Sequence, residues 1–304
     1  MNFRDDRLKV ITQISRQATN TDLIMTSRRV FLKSLGAGAL LAGGISIPMI
    51  GAAQPQPGTL KRVLSSGKLR IGAVTDGIPA FQKDIRSGEW RGIFIDVSRK
   101  LAQENGLKLE IVETTWGNSV LDLQSGKIDL MFGLNPTPDR RKAIDFSTAV
   151  FQNGFTLVCR ENAIFEKWED YNKPGIRIAV DAGSSHDATV ARLLPKATII
   201  RLDSVGEASI ALQSGRADAQ CLVMMLSLPA VKKNAQLGKV VAPMPVAYTT
   251  SHAGFAKAED TDWQEFVDKW IKENRENGFI PEAILKNMSL VNVTPADFPA
   301  GIQL

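Results

Sequence analysis

The chain has 304 residues, of which 44% are hydrophobic and 23% are charged, the composition of a soluble globular protein long enough for two domains. The formal net charge is +5, but residues 1–53 hold seven of the 37 basic and three of the 32 acidic side chains, which leaves 30 and 29 for the rest. This nearly neutral remainder argues against nucleic acid and anionic membrane surfaces as partners.

The first 53 residues predict an export signal. Arg28 and Arg29 are followed by Phe-Leu-Lys, a weakly apolar Gly-rich stretch, and a small-residue end directly before Gln54. These are the three parts of a signal peptide, and "SRRVFLK" resembles a twin-arginine signal. Pro48 and the glycines make the stretch a poor membrane-spanning helix. We expect cleavage before Gln54, a periplasmic location, and a natural start at Met25.

Strand and helix patterns alternate along the remaining chain. The first series is strand 68–75, helix 95–105, strand 107–113, helix 118–125 and strand 128–132. The second series is strand 176–181, helix 186–194, strand 197–202, helix 204–214 with a Ser204–Glu207 capping box, and strand 217–223. Such alternation is typical of mostly parallel α/β sheets.

The two series share a nearly identical segment. "LQSGKID" at 123–129 and "LQSGRAD" at 212–218 agree at five of seven positions. This indicates two similarly built lobes. The extended segments 151–160 and 245–256 are interpreted as the strands that join them. A helix over 261–279 carries an apolar stripe that favours core packing.

The end of the first series predicts a binding site. In "GLNPTPDRRKAIDFS", residues 133–147, Pro136 and Pro138 exclude ordinary helix or strand and predict a rigid loop that positions Arg140. In the second series, "AGSS" at 182–185 begins a helix, whose free N–H groups favour an anion. Ligands of α/β sheets bind at such strand ends, so we expect a hinged cleft with the ligand between the lobes.

Several long stretches carry a family resemblance over about residues 60–286. They are "LRIGAVTDGIPAF", "WRGIFIDVSRKLAQENGLKLEIVETTWGNSVLDLQSGKIDLMFGLNPTPDRRKAIDFS", "IAVDAGSS", "ALQSGRADA" and "HAGFAKAED". With them the chain resembles the periplasmic solute-binding proteins of amino-acid-type ABC importers, family 3. The resemblance implies a type II periplasmic-binding-protein fold, α/β overall, with two α/β sandwich lobes joined by a two-strand hinge. The expected division is 54–154 plus 247–304 for lobe 1 and 155–246 for lobe 2.

The resemblance also implies a function. It is the capture of a small carboxylate-bearing solute (an amino acid, a modified amino acid or an organic acid) by lobe closure, without catalysis and without a cofactor. The expected partner is an ABC permease in the inner membrane, and the expected state is a monomer. A ligand-sensing module and an enzyme similar to cyclohexadienyl dehydratase are alternatives on the same fold.

The resemblance assigns ligand-binding roles position by position. The implied residues are Phe81, Trp116, Gly133, Asn135, Arg140, Ser184, Ser185 and Val223. Arg140 corresponds to the arginine that pairs with the ligand's α-carboxylate, and a guanidinium can grip a carboxylate with two hydrogen bonds. Gly133 and Asn135 correspond to positions that meet the α-ammonium.

The remaining positions complete the expected pocket. Ser184 and Ser185 correspond to residues that offer N–H and O–H donors to the carboxylate. Trp116 corresponds to a pocket-lining aromatic position, and Phe81 falls in the place of a phenylalanine in a turn of the family.

Val223 departs from the family, which commonly carries an aspartate five residues after Asp218 to neutralise the ligand's ammonium. The run 219–231 contains no acidic residue. Because a buried ammonium without a counter-charge costs several kcal/mol, we expect a carboxylate ligand without a conventional α-ammonium. If Asp76 or Asp181 reaches the cleft, an ordinary amino acid fits again.

Catalytic and metal-binding signals are weak. Ser185, His186 and Asp187 are adjacent in sequence and diverge around a helix, so His186 is interpreted as a surface or pocket-rim residue. A dehydratase needs a positioned acid, and the run after Asp218 offers none. Cys159 and Cys221 lie in apolar strand patterns and are interpreted as buried free thiols. With two distant histidines and these cysteines, no metal site is predicted.

Overall fold

The computed structural model describes residues 58–258 and 260–298. The predicted export signal at 1–53, with its cleavage site and Met25, lies outside these residues. Within them, no helix has both the length and the apolar character needed to cross a membrane.

The first lobe is built mainly from the N-terminal half of the described chain. Its elements are α1 (Thr59–Ser66), β1 (Lys68–Ala73), β2 (Gln82–Lys83), β3 (Trp90–Arg91), α2 (Ile93–Glu104), β4 (Lys108–Glu113), α3 (Ser119–Gln124), β5 (Met131–Leu134), α4 (Pro138–Ala143) and β6 (Ile144–Phe146). Strand β1 pairs in parallel with β4 and bridges through Ile71 to Leu130, directly before β5.

The second lobe follows, and the chain then returns to the first. The elements are β7 (Phe151–Cys159), α5 (Trp168–Tyr171), β8 (Arg177–Asp181), α6 (Ser185–Leu193), β9 (Thr198–Leu202), α7 (Val205–Gln213), β10 (Ala219–Val223), α8 (Met224–Lys233), β11 (Lys239–Val241), β12 (Tyr248–Ala256), α9 (Asp262–Glu276) and α10 (Phe279–Ser289). Strand β8 lies parallel to β9 and β10, as the alternating pattern predicts.

Strands β7 and β12 connect the lobes. Residues 151–154 pair antiparallel with 248–251. Beyond this pairing, β7 joins β10 and β11, whereas β12 joins β5 and β6. Each connecting strand therefore changes sheets midway, which is the geometry of a two-strand hinge, while the exact lobe boundaries at 154 and 246 stay a prediction.

The repeated segment folds the same way in both lobes. Arg70 donates to the carboxylate of Asp129 from its backbone N–H, Nε and Nη2, at 2.9, 3.0 and 2.6 Å. Arg177 donates to Asp218 from the same three atoms, at 2.9, 3.1 and 2.6 Å. The shared aspartate thus joins the first strand of its series to the helix–strand junction, and the prediction of two similarly built lobes is confirmed.

Replacing Asp129 with asparagine should lower the free energy of unfolding by about 2–3 kcal/mol, because hydrogen bonds to a charged partner are lost in a side chain only 1% exposed. Urea denaturation checks this value. Asp139→Asn is the matched control, since that carboxylate is 91% exposed beside Lys142 and its loss should leave stability unchanged. Equal effects of the two substitutions would contradict the assigned role.

The same pair predicts a pH dependence. Burial raises the pKa of Asp129, but hydrogen bonds from Arg70 and Arg62 outweigh burial and hold it below the ordinary 3.8. Its stabilisation is therefore fully present above the ordinary pKa and is lost as pH falls through the lower folded-state value. The stability difference between the wild type and Asp129→Asn, measured by urea denaturation across pH, should shrink below about pH 4.

Three local features differ from the sequence expectation. Pro138 begins helix α4, because proline fits the first turn and Thr137 caps it by accepting from the Arg140 N–H at 3.2 Å. Helix α8 has no counterpart in the predicted elements, since an apolar run does not distinguish helix from strand. Ser204 accepts from the Glu207 N–H as expected, but the Glu207 carboxylate accepts from Asp203 rather than from Ser204.

The core is otherwise as expected. The indole and aliphatic side chains of the stripe on α9 are buried, with the ring of Phe266 stacked on Trp263 at 5.6 Å between centroids. Cys159 and Cys221 are buried free thiols. Burial raises the pKa of Cys159 to about 12, against a hydrogen bond to Tyr171 that lowers it, so this thiol stays protonated at neutral pH.

Candidate functional site

A small cavity lies where the lobes meet. Seven of the eight predicted residues line it: Trp116, Gly133, Asn135, Arg140, Ser184, Ser185 and Val223. Phe81 is fully buried outside the lining, with its ring 5.8 Å from that of Trp116. The structure thus brings the predicted residues together, and their role in binding stays a prediction.

The guanidinium of Arg140 contacts both lobes. It lies in the first turn of α4 and is 5% exposed. Its Nη1 donates to the Asn135 carbonyl at 3.1 Å, and its Nη2 donates to the Trp116 carbonyl at 2.7 Å. A longer contact of 3.4 Å joins Nη2 to the Gly183 carbonyl in the second lobe. These acceptors fix the guanidinium plane against the cavity.

Arg140 remains charged despite its burial. Burial lowers its pKa to about 10, and the nearby charge of Asp181 acts in the opposite direction. The guanidinium is therefore protonated at neutral pH. Three neutral carbonyls satisfy its Nη atoms, while its Nε has no partner. A ligand anion would supply the compensating charge that carbonyl oxygens cannot.

Asn135 and Gly133 lie at the end of β5. Asn135 donates from Nδ2 to the Ser185 hydroxyl at 3.1 Å and so makes a second contact between the lobes. Gly133 has φ +89°, and a Cβ there would lie 2.6 Å from the Phe94 ring and 3.1 Å from Trp116. Glycine at this position therefore adopts the left-handed backbone without strain and leaves the space between the Phe94 and Trp116 rings free of a side chain.

The serines lie at the start of α6. Ser184 is the N-cap, and its hydroxyl accepts from the Asp187 N–H at 3.1 Å. Ser185 is the first helical residue, and its hydroxyl accepts from Asn135. Both hydroxyl oxygens thus accept hydrogen bonds within the protein, and the Ser185 hydroxyl retains a proton to donate.

His186 is the main correction to the sequence interpretation. It is not a rim residue: it is 3% exposed and lines the cavity. Its Nδ1 lies 2.8 Å from Oδ1 of Asp181, the last residue of β8, and the ring edge meets Phe155 at 6.2 Å between centroids. Burial raises the pKa of Asp181, but the neighbouring His186 and further hydrogen bonds outweigh it and the pKa lies below its ordinary value.

Unpartnered polar atoms concentrate at this cavity. Within residues 58–258 and 260–298, five buried side-chain atoms have no hydrogen-bond partner: Trp116 Nε1, Arg140 Nε, Asp181 Oδ2, His186 Nε2 and Ser251 Oγ. Four of these residues line the cavity, and Asp181 is bonded to one that does. Each such atom costs about 1–3 kcal/mol, so their clustering indicates a site for a polar ligand.

The rest of the lining is not identified by the sequence. Asn153 and Ser251 come from the hinge strands β7 and β12, where no motif marks them. Val223 forms an apolar part of the cavity lining together with Met225 and Leu226, which belong to helix α8.

Asp76 and Asp181, the two acids that could reach the cleft, differ in their position relative to the cavity. Asp76 is absent from the cavity lining and accepts at 2.8 Å from the Gly206 N–H, at the start of α7 in the second lobe. Asp181 reaches the cavity through His186. In the described part of the chain, no group of three or more His, Cys, Asp or Glu side chains is arranged to hold a metal ion.

Comparisons with known proteins identify the family of this chain. The model of the bacterial extracellular solute-binding proteins, family 3, matches residues 69–288. Cyclohexadienyl dehydratase from Pseudomonas aeruginosa is 25% identical over 257 residues, covering 84% of this chain and 92% of that protein. The glutamine-binding protein of a Bacillus subtilis ABC transporter is 28% identical over 234 residues, covering 71% and 85%.

Solved structures show the same two-lobed fold. An ancestral amino acid-binding protein, a precursor of cyclohexadienyl dehydratase, is 31% identical with a TM-score of 0.67, covering 75% of this chain and 99% of that one. An ancestral arginine-binding protein bound to glutamine is 27% identical with a TM-score of 0.65, covering 72% and 97%. The chain therefore belongs to the bacterial extracellular solute-binding proteins of family 3.

Proposed function

We propose that this protein captures a small carboxylate-bearing solute for an ABC importer. The carrying observation is the cavity between the lobes, where Arg140 and three other lining residues leave buried polar atoms unpartnered. A bound carboxylate would accept from Arg140 Nε and Trp116 Nε1. The relatives that bind glutamine or other amino acids in ABC transport support this class of ligand.

Function then follows from lobe closure. The lobes meet through Arg140–Gly183 and Asn135–Ser185 hydrogen bonds. A ligand that completes this interface would favour the closed over the open arrangement, and an inner-membrane permease would recognise the closed form. The protein would act as a monomer.

A ligand screen tests the proposal. Thermal shift with the twenty amino acids, small organic acids and amines should raise the melting temperature only for solutes with a carboxylate, because ligands that bind the folded state stabilise it. Calorimetry then gives Kd for each hit. Stabilisation by amines that lack a carboxylate, with none by carboxylates, would contradict the proposal.

We further propose a periplasmic location reached by twin-arginine export. Membership of an extracellular binding family and the "SRRVFLK" segment support it. Replacing Arg28 and Arg29 together with lysine should leave the protein in the cytoplasm, as measured by fractionation. Unchanged export would contradict this route.

A second candidate is an enzyme related to cyclohexadienyl dehydratase. The specific observation is the buried Asp181–His186 pair, a group able to move a proton beside a carboxylate-binding arginine. The Pseudomonas aeruginosa relative supports it. Product formation from prephenate or arogenate by the purified protein would favour this candidate over binding alone, and we expect none.

A further inference from the structure

One hydrogen bond between the lobes lies outside the cavity. Oδ2 of Asp76 accepts from the Gly206 N–H at 2.8 Å, and neither residue belongs to the cavity lining. Asp76 follows β1 in the first lobe, whereas Gly206 is the second residue of α7 in the second lobe. This contact therefore joins the lobes at a place that is separate from the ligand-binding residues.

The first lobe holds Asp76 in a fixed loop. Val74 and Phe81, on either side of the loop, are buried. Between them, the Gly77 carbonyl accepts from the Phe81 N–H at 2.9 Å and so closes a turn directly after Asp76. Because the loop is anchored on both sides, the carboxylate cannot follow a partner that moves away with the other lobe.

The second lobe presents the Gly206 N–H at the start of a helix. The first N–H groups of a helix have no acceptor within the helix. In α7, the Ser204 hydroxyl accepts from the Glu207 N–H at 3.1 Å, and Asp76 supplies the acceptor for Gly206. The partial positive charge at a helix N-terminus favours a carboxylate there. A side chain of the first lobe thus caps a helix of the second.

Gly206 allows the carboxylate to approach the helix backbone. A Cβ at this position would lie 3.1 Å from Oδ2 of Asp76, which is closer than ordinary contact. The backbone of Gly206 is not left-handed, so its conformation does not require glycine. Glycine also stabilises a helix less than alanine does. The approach of Asp76 therefore gives a physical reason for glycine here.

We propose that Asp76 is a positioning residue for lobe closure, which stabilises the closed arrangement by capping α7 and does so equally for every solute. This role rests on the lobe closure of the proposed function. The contact exists only when the lobes meet, so its loss lowers the closed population and weakens all solutes by one factor. A residue that touched the ligand would instead change the ratios between solutes.

Replacing Asp76 with alanine tests the uniform effect. Calorimetry with the three carboxylates that bind most tightly in the thermal-shift screen should give Kd values about 5- to 30-fold higher, with their ratios unchanged. Asp76→Asn retains an acceptor oxygen and should raise Kd only about 3-fold. Thr75→Ala, at the exposed neighbouring residue, is the control and should leave Kd unchanged. Unchanged Kd values in Asp76→Ala, or factors that differ between the carboxylates, would overturn the proposal.

Amide hydrogen exchange, followed by NMR, measures the contact itself. The Gly206 N–H should exchange at least about 5-fold more slowly in the wild type than in Asp76→Ala, with and without the tightest carboxylate. The Ala208 N–H is the internal control, because it donates within the helix start to the Ser204 carbonyl at 3.1 Å and should exchange equally in both proteins. Equal exchange of Gly206 in the two proteins would overturn the proposal.

The outcomes separate this role from the proposed function. Carboxylate binding that is lost in Arg140→Ala, with unchanged Kd and Gly206 exchange in Asp76→Ala, would leave carboxylate capture intact and reject the role of Asp76. Protection of Gly206 that depends on Asp76, without binding of any carboxylate, would support the closure contact and reject the capture. Asp76 is only partly buried, so Asp76→Ala should fold, and Asp76→Ser serves as a second variant without a carboxylate.

Discussion

Replacing Arg140 with alanine should strongly weaken ligand binding while the protein stays folded. Losing one partner of a buried charged pair typically costs 2–5 kcal/mol, so Kd should rise roughly 30- to 5,000-fold. The backbone of α4 is unaffected because its cap is the Arg140 N–H to Thr137 bond, not the guanidinium. Calorimetry with the tightest carboxylate of the screen measures the effect, and circular dichroism checks the fold.

Arg141→Ala is the matched control for this substitution. Arg141 is exposed, lies next to Arg140 in sequence, and places its guanidinium over the Phe146 ring at 5.5 Å, away from the cavity lining. Its removal should leave Kd unchanged. An equal loss of affinity in both variants would show that general positive charge, rather than a fixed guanidinium, holds the ligand.

Replacing Gly117 with alanine should prevent full closure without harming either lobe. A Cβ at Gly117 would lie 2.5 Å from the Ala182 carbonyl oxygen in the second lobe. The backbone of Gly117 is not left-handed, so alanine introduces no local strain and the collision exists only when the lobes meet. Overpacking costs about 1–3 kcal/mol, which corresponds to a 5- to 150-fold higher Kd.

Small-angle scattering measures closure directly in this variant. The wild type should become more compact when the ligand is added, and Gly117→Ala should contract less. Asn118→Ala is the control, because Asn118 is the next residue, is exposed and lies outside the cavity lining. Wild-type affinity and contraction in Gly117→Ala would contradict the closed arrangement described for the two lobes.

The sequence predicts the fold well where the hydrophobic periodicity of a helix or strand ends at a glycine that terminates the element. Helix α2, strand β4 and strand β9 lie within two residues of their expected bounds. The shared "LQSGKID" and "LQSGRAD" segments predict the lobe repeat, and the aspartate at the end of each pairs with an arginine in the first strand of its series. Helix α8 escapes prediction because residues 224–231 are apolar apart from Ser227, without a helical period, and Pro229 interrupts the helical pattern.

The site is predicted only in part, for a physical reason. Arg140 and the two serines lie in the segments that follow strands β5 and β8, and both the sequence pattern and the family resemblance identify these segments. His186 is missed because its partner, Asp181, lies five residues earlier, across the turn from β8 to α6. The sequence interpretation compared His186 only with its immediate neighbours, Ser185 and Asp187. An aspartate that ends a strand, followed by a histidine in the first turn of the next helix, is the signal that could have identified the pair.

The central claim is that Arg140 holds the carboxylate of a solute enclosed by the two lobes. Calorimetry of the wild type with the tightest carboxylate of the screen and with its primary amide tests this most directly, because the amide keeps the shape and removes the charge. We predict an affinity at least about 100-fold lower for the amide, and no such difference in Arg140→Ala. Equal affinities of the wild type for the acid and the amide would contradict the claim.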